Sequence, residues 1–172
     1  FGKRSKLDVQ QNRKFLQKRS PYVGVKYHVR NDQPRDVISL HNFSGGYCGV
    51  CAVEDNVTNV CYLTHRDNVR QYGNLKQMEQ EVLFNNPRIK EIFSSSSLVF
   101  DKPEVINEIS FETKGPVDNH ILMAGDAAGM ITPVCGNGMA IAIHSGKILS
   151  ELVIQFCKGK IDRSRLEAEY TK

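Results

Sequence analysis

Tryptophan is absent from this chain of 172 residues, which excludes any motif built on an indole ring. Apolar residues never run long. The longest stretch, around residues 139–143, falls far short of the roughly 20 residues that cross a bilayer as a helix, so no membrane span is expected. No charged, apolar and small-residue leader opens the chain. It begins Phe1-Gly2-Lys3-Arg4-Ser5, without Met, and reads as cut from something longer. Five cysteines make an odd set, and Cys48-x-x-Cys51 has no second pair to complete a zinc site. On a strand, positions three apart point to opposite faces, so these two thiols read as small packed residues. His28, His41, His65, His120 and His144 share no spacing for a metal or a triad, and no metal site is expected. Gly146-Lys147 lacks the upstream glycine and the following Ser or Thr of a phosphate loop, and no Gly-x-Gly-x-x-Gly fingerprint occurs. Free thiols and the missing leader point to a reducing, cytoplasmic setting.

What charge there is lies unevenly. Seven of the first 19 residues are basic (Lys3, Arg4, Lys6, Arg13, Lys14, Lys18 and Arg19), against one acid, Asp8. The other residues carry 16 basic and 18 acidic groups, so the body is slightly acidic. A basic segment of this kind can lie on a membrane surface or on nucleic acid. The reading adopted is a solvated helix face, with peripheral membrane contact kept as a partner and nucleic acid excluded.

Residues 7–18 predict a short helix that stops before Pro21. β-branched and aromatic runs at 22–29, 37–43, 47–53 and 59–64 predict strands, with turns at Asn31-Asp32, Ser44-Gly45-Gly46 and Glu54-Asp55-Asn56. The last turn makes 47–64 an antiparallel hairpin. Asp67 opens a helix-period stretch to about Phe84, closed by Asn85-Asn86-Pro87; a short helix is expected at 88–93, a linker at 94–97 and a strand at 105–111. Residues 120–124 form a short apolar run bounded by turns, as in a strand buried on both faces. A long helix follows over 138–157 with Gly159 placed to end it, and 162–172 opens another helix.

Chemistry concentrates in Ile121-Leu-Met-Ala-Gly-Asp-Ala-Ala-Gly-Met-Ile-Thr-Pro-Val-Cys-Gly-Asn-Gly-Met-Ala. A strand ends in Gly125, which lets the backbone turn sharply and admits another group closely. Asp126 follows as a carboxylate able to accept from hydroxyls. The loop then reaches Gly136-Asn137-Gly138 at the mouth of the long helix, whose unpaired N–H groups and positive dipole end stabilise negative charge. Such a set suits a ligand with hydroxyls and a delocalised anion. A plain strand–turn–helix with Asp126 as a turn residue is the simpler alternative.

The segment resembles the rear flavin-binding motif of the p-hydroxybenzoate hydroxylase-like FAD oxidoreductases, a superfamily of aromatic hydroxylases, flavin halogenases, geranylgeranyl reductases and electron-transfer-flavoprotein dehydrogenases. The matching positions are Gly125, Asp126, Ala127-Ala128, Pro133, Gly136 and Gly138. By that resemblance Asp126 bonds the ribityl hydroxyls of FAD, and the backbone at Gly136, Asn137, Gly138 and Met139 faces the flavin N1–C2=O edge. Cys135 lies in the same loop, either packed or near the isoalloxazine. Phe1-Gly2-Lys3-Arg4-Ser5 resembles the end of the family's Gly-Ala-Asp-Gly-x-x-Ser motif, with Phe1 in place of the acid. Tyr47 matches the tyrosine of the isoprenoid reductases' Tyr-x-Trp-x-Phe-Pro segment, but Ala52 replaces its proline and no tryptophan is present, which disfavours an isoprenoid substrate. Halogenases of the group carry a Trp-rich motif that these residues do not contain.

The expected architecture is α+β. A motif remnant and helix (1–20) precede an antiparallel-rich sheet domain for substrate (21–112). The rear strand and long helix of a Rossmann-like, p-hydroxybenzoate hydroxylase-type FAD-binding domain follow (113–160), then the start of a truncated helix (161–172). The nucleotide-binding front half would lie outside the chain. The resemblance implies a flavin-dependent oxidoreductase: FAD-dependent reduction, dehydrogenation or monooxygenation of a small apolar organic substrate, with NAD(P)H or an electron-transfer protein as donor. Tyr47, His28 and His41 are the candidate substrate residues. The contrasting reading is a non-catalytic ligand-binding module with a vestigial flavin segment. The chain alone is expected to be inactive and to self-associate.

Overall fold

Antiparallel pairing organises the middle of the chain in the computed structural model, which describes residues 4–172, and of Glu108 the backbone alone. The N-terminal motif remnant therefore falls mostly outside the described residues. The described chain forms two compact units, residues 20–109 and residues 4–19 with 110–172.

In the sheet unit, β1 (Tyr22–Arg30), β2 (Ile38–Phe43), β3 (Gly46–Ala52) and β4 (Thr58–His65) lie in the order β2-β3-β4-β1. β5 (Ser97–Leu98) and β6 (Glu104–Ile109) pair successive parts of β1's free edge. The β3–β4 hairpin pairs Gly46 with Thr64 through Ala52 with Thr58. Its turn places Asp55 and Asn56 in the left-handed region, where Asn and Asp are tolerated. Because side chains alternate along a strand, Val23, Val25, Val29, Cys48, Val50, Val60 and Tyr62 share one face. They form the core with Met78, Val82, Leu83 and Ile89.

The helix expected over 67–84 is two helices. α2 (Arg66–Tyr72) stops at Gly73, whose φ of 77° breaks the hydrogen-bond ladder. α3 (Leu75–Glu81) restarts on Asn74, whose side chain accepts from the Gln77 amide. Pro87 sits at the start of α4 (Pro87–Ser95), capped by Asn86, and α4 takes the first half of the expected 94–97 linker.

In the other unit, the basic helix expected at 7–18 is α1 (Lys6–Gln10), then a 3₁₀ turn at Lys14–Gln17. Asn12, at φ 48°, breaks the run and redirects Arg13 inward. Arg13 is thus buried, at 4% exposure, not part of a solvated face. Nor do residues 120–124 form a strand buried on both faces. Only Ile121–Leu122 (β8) is strand, half-buried, pairing antiparallel with Val117–Asp118 (β7). Asn119 and His120 both have positive φ, so a tight two-residue turn reverses the chain and supplies a neighbour from within it.

Helix α5 (Gly138–Cys157) stands at the expected residues, and α6 (Arg163–Tyr170) follows. Leu152, Ile161, Leu166 and Tyr170 form the second core, joined by Val117, Leu122, Leu149 and Val153. By length and composition α5 is apolar enough to cross a membrane, contrary to the reading from unbroken runs. The unbroken apolar run ends at His144-Ser145-Gly146, but apolar residues resume beyond Lys147. Here one stripe of the helix packs against α6 and the hairpin, while most of it, including Met139, Ile143 and Ile154, is not buried among the described residues.

Candidate functional site

The Gly-Asp turn is built from both sides. Gly125 has a φ of 59°, and a Cβ there would stand 3.0 Å from the Ala142 Cβ of α5. Its N–H donates to Ser145 Oγ at 3.0 Å, and that hydroxyl donates to the Ala142 carbonyl. Glycine is therefore demanded by the approach of turn to helix. A 3₁₀ turn over Gly125–Ala127 leaves Asp126 exposed and Ala127 buried.

Beneath the turn lies the buried guanidinium of Arg13. Its Nη1 donates to Asp8 Oδ1 at 3.0 Å and to the Ala127 carbonyl at 2.9 Å. Its Nη2 donates to the carbonyls of Lys114, at 2.5 Å, and Gly115, at 3.1 Å. Nε pairs with Asp118 Oδ2 at 3.1 Å. A planar fork of five donors suits such a cluster of acceptors. Asp8 is itself held by Ser5, whose N–H and hydroxyl donate to Oδ2 at 2.7 and 2.8 Å. Burial pushes the Asp8 carboxyl up, but the hydrogen bonds from Arg13 and Ser5 and the charge of Arg13 outweigh it and hold the group below its ordinary value. Lys114 Nζ donates to the Asp126 carbonyl at 3.0 Å and lies 4.5 Å from the Phe15 ring centroid. Its pKa is lowered, chiefly by burial. Neither Arg13 nor Lys114 was singled out from the sequence. The signal was slight: a lone arginine in a basic stretch, and a lysine just before a glycine.

On the far side of the loop, Pro133 opens a 3₁₀ turn over Pro133–Cys135, and Gly136 takes the left-handed conformation at φ 67°. Cys135 is exposed rather than packed. Asn137 precedes α5 without capping it through its side chain, and residues 136–140 are all exposed. Gly138 has no unusual φ, and a Cβ there would meet nothing within 4 Å. Packing within the described residues does not require that glycine. What its missing Cβ leaves open is the approach to the first-turn N–H groups. An exposed carboxylate, an uncapped helix entrance with an open glycine and a nearby lysine fit a ligand with hydroxyls and an electron-rich edge.

The candidate substrate residues divide. Tyr47 and His28 lie on the sheet face opposite the helices, while His41 pairs with core residue Cys48 and shares its helix-covered face. His28 stands opposite Asn59, whose Oδ1 is buried and has no hydrogen-bond partner among the described residues. Asn59 in turn stands opposite Cys51. Cys48 and Cys51 occupy opposite faces, and burial pushes the Cys48 thiol up to about 12.

No family model and no curated protein matches the chain. Solved structures do. The flavin-dependent halogenase CmlS matches 98% of the chain with a TM-score of 0.77 at 15% identity. A flavoprotein/dehydrogenase from Cytophaga hutchinsonii matches 89% of it with a TM-score of 0.68 at 19% identity. The myxobacterial chondrochloren halogenase CndH, a variant of FAD-dependent halogenases, matches 87% with a TM-score of 0.69, also at 19% identity. The chain spans 32% of the first structure's length, 40% of the second's and 37% of the third's. Over that share the chain has the fold of these flavin-dependent halogenases and of this flavoprotein/dehydrogenase.

Proposed function

We propose that this chain forms the isoalloxazine- and ribityl-facing part of an FAD-dependent oxidoreductase. The observation that carries the reading is the helix entrance at Gly138, open where packing asks for no glycine and set beyond an exposed Asp126 in a fold shared with flavoenzymes. In that role Asp126 accepts from ribityl hydroxyls, and the N–H groups at Gly138 and Met139 meet the N1–C2=O edge. Lys114 adds positive charge beside the turn, and Arg13 holds the turn in place from below. FAD supplies the redox chemistry when bound, and the chain's residues orient it and balance its charge. The substrate is a small apolar organic molecule, met by the sheet face that carries Tyr47, His28 and the unpartnered Asn59 carbonyl. Reduction, dehydrogenation and monooxygenation all suit that arrangement, with NAD(P)H or an electron-transfer protein as donor.

Amide shifts of the 172-residue chain on titration with FAD test the reading. One carboxylate and one helix end give weak binding once the cost of association is met, so FAD should be lost on gel filtration. The titration should still move Lys114, residues 125–128 and residues 136–139 together. Asp126→Ala should weaken the response by roughly 10- to 150-fold, since a hydrogen bond to a charged acceptor contributes about 1.5–3 kcal/mol. An unchanged response in Asp126→Ala, or shifts confined to other residues, would refute the assignment.

A further inference from the structure

A cavity of 680 Å³ opens in the sheet unit among β1, α3 and α4. That volume lies within the usual range for small-molecule sites, about 300–1,000 Å³. Its wall is apolar: Val29, Leu75, Phe84, Phe93 and Pro103, with the ring of Tyr27. Phe93 meets Tyr27 edge to face at 5.2 Å and lies 5.4 Å from Phe84, so the wall is held by ring packing.

Of the two carboxyl residues that line the cavity, Glu79 and Asp101, Glu79 is the buried one. Glu79 is 7% exposed, and its Oε1 accepts both the Tyr27 and the Tyr62 hydroxyl, each at 2.7 Å. Its Oε2 receives no hydrogen bond among the described residues. Oε2 is not among the fully buried unpartnered atoms of the described residues, so it stays open to the cavity that Glu79 lines. With Oε1 held against the sheet, Oε2 is the oxygen left for an occupant of the cavity.

We propose that this cavity binds a neutral, ring-bearing alcohol or phenol whose hydroxyl pairs with Glu79 Oε2. The walls select an apolar body. The exposed residues at the mouth, Lys76, Lys90 and Asp101, are of mixed sign and select no strongly charged one. A hydroxyl suits Oε2 better than an amine or a carbonyl because it donates to a carboxylate and accepts from a carboxyl, matching either protonation state. The site uses nothing of residues 125–139 and stands independently of the flavin reading.

The test is a fluorescence titration of the 172-residue chain with 2-naphthol and with 2-methylnaphthalene, which lacks the hydroxyl. Excitation at wavelengths longer than those the protein's aromatic side chains absorb reads the probe without protein background, in the parent chain and in its variants. The expected result is one saturable site that prefers 2-naphthol by roughly tenfold or more, the worth of one charge-assisted hydrogen bond. Glu79→Gln keeps a carbonyl for the two tyrosines but replaces Oε2, and should reduce the preference to about threefold or less. Leu75→Trp should fill the cavity and abolish binding of both probes. Ser94→Trp, at the exposed mouth, serves the same end should the interior change disturb folding. Absence of saturable naphthol binding, equal affinity for the two probes, or undiminished binding in a folded occluding variant overturns the proposal.

Discussion

Replacing Arg13 by Met should unfold the unit formed by residues 4–19 and 110–172 while leaving the sheet unit standing. Methionine replaces the apolar stem but ends short of the guanidinium and offers no donor. It strands the buried Asp8 carboxylate and removes the partner of three carbonyls, those of Lys114, Gly115 and Ala127. Removing one member of a buried ion pair costs about 3–5 kcal/mol, and each buried carbonyl left unpaired adds about 1–3 kcal/mol where water does not reach it. Relaxation makes these contributions less than additive, so a loss of about 5 kcal/mol is expected, comparable with the whole stability of a small unit. Arg13→Lys should recover part of that loss, because a point charge keeps the Asp8 pair but not the fork to the carbonyls. Asp8→Leu combined with Arg13→Met should recover more, since no charge is then left buried. Amide hydrogen exchange is the assay: protection should collapse along Gly138–Cys157 and Val117–Leu122 and persist in β1, β3 and β4. A cost under about 1 kcal/mol, or equal loss of protection in the sheet, would refute the reasoning. The same pair sets an acid limit. Asp8 titrates below its ordinary 3.8, so its contribution is present above that value and is lost as pH falls through the lower folded-state value.

Glu79 carries the opposite sign: burial raises its pKa above the ordinary 4.5 despite the two tyrosine hydrogen bonds. Its contribution is complete below 4.5 and is lost as pH rises through the folded value. Glu79→Gln should therefore stabilise the sheet unit against urea at mildly alkaline pH and have little effect well below 4.5, and parallel pH dependence in wild type and variant would be contrary to this. Gly125→Ala should cost about 1–3 kcal/mol, because it combines a positive φ with a 3.0 Å approach to the Ala142 Cβ. Gly138→Ala should leave thermal stability within about 1 kcal/mol yet diminish the FAD-induced amide shifts; equal melting losses for the two variants would remove the distinction between a packing glycine and an access glycine. Met139 and Ile143, at 81% and 75% exposure, give α5 an apolar face that should drive self-association, and sedimentation of Met139→Lys/Ile143→Lys should shift toward monomer. A strict monomer in the parent chain would dismiss that expectation.

Much of the sheet was legible in the sequence because its information is local. Alternation places Val23, Val25 and Val29 on one side of β1, and Asp55-Asn56 and Ser44-Gly45 mark the turns that set the register. Cys48 and Cys51 could be assigned to opposite faces from their spacing alone. The long helix and the positions of Gly125, Asp126, Gly136 and Gly138 along the loop were legible for the same reason. The breaks at Asn12 and Gly73 were missed because apolar periodicity continues across both, and a single residue in the left-handed region overrides it.

Only the tertiary structure decided what Arg13 and Glu79 do. Arg13 reads as one cation in a basic segment, yet its acceptors at Lys114, Gly115 and Ala127 lie more than 100 residues away. Glu79 sits on a short helix, and its partners Tyr27 and Tyr62 come from two neighbouring strands that meet only when the sheet forms. His41 was separated from His28 and Tyr47 by strand register, which a shift of one residue would have reversed. Local chemistry determined the elements and the spacing of the flavin-like loop. Burial and long-range pairing determined which charges became structural, because a charge withdrawn from water must find its partners wherever the fold brings them.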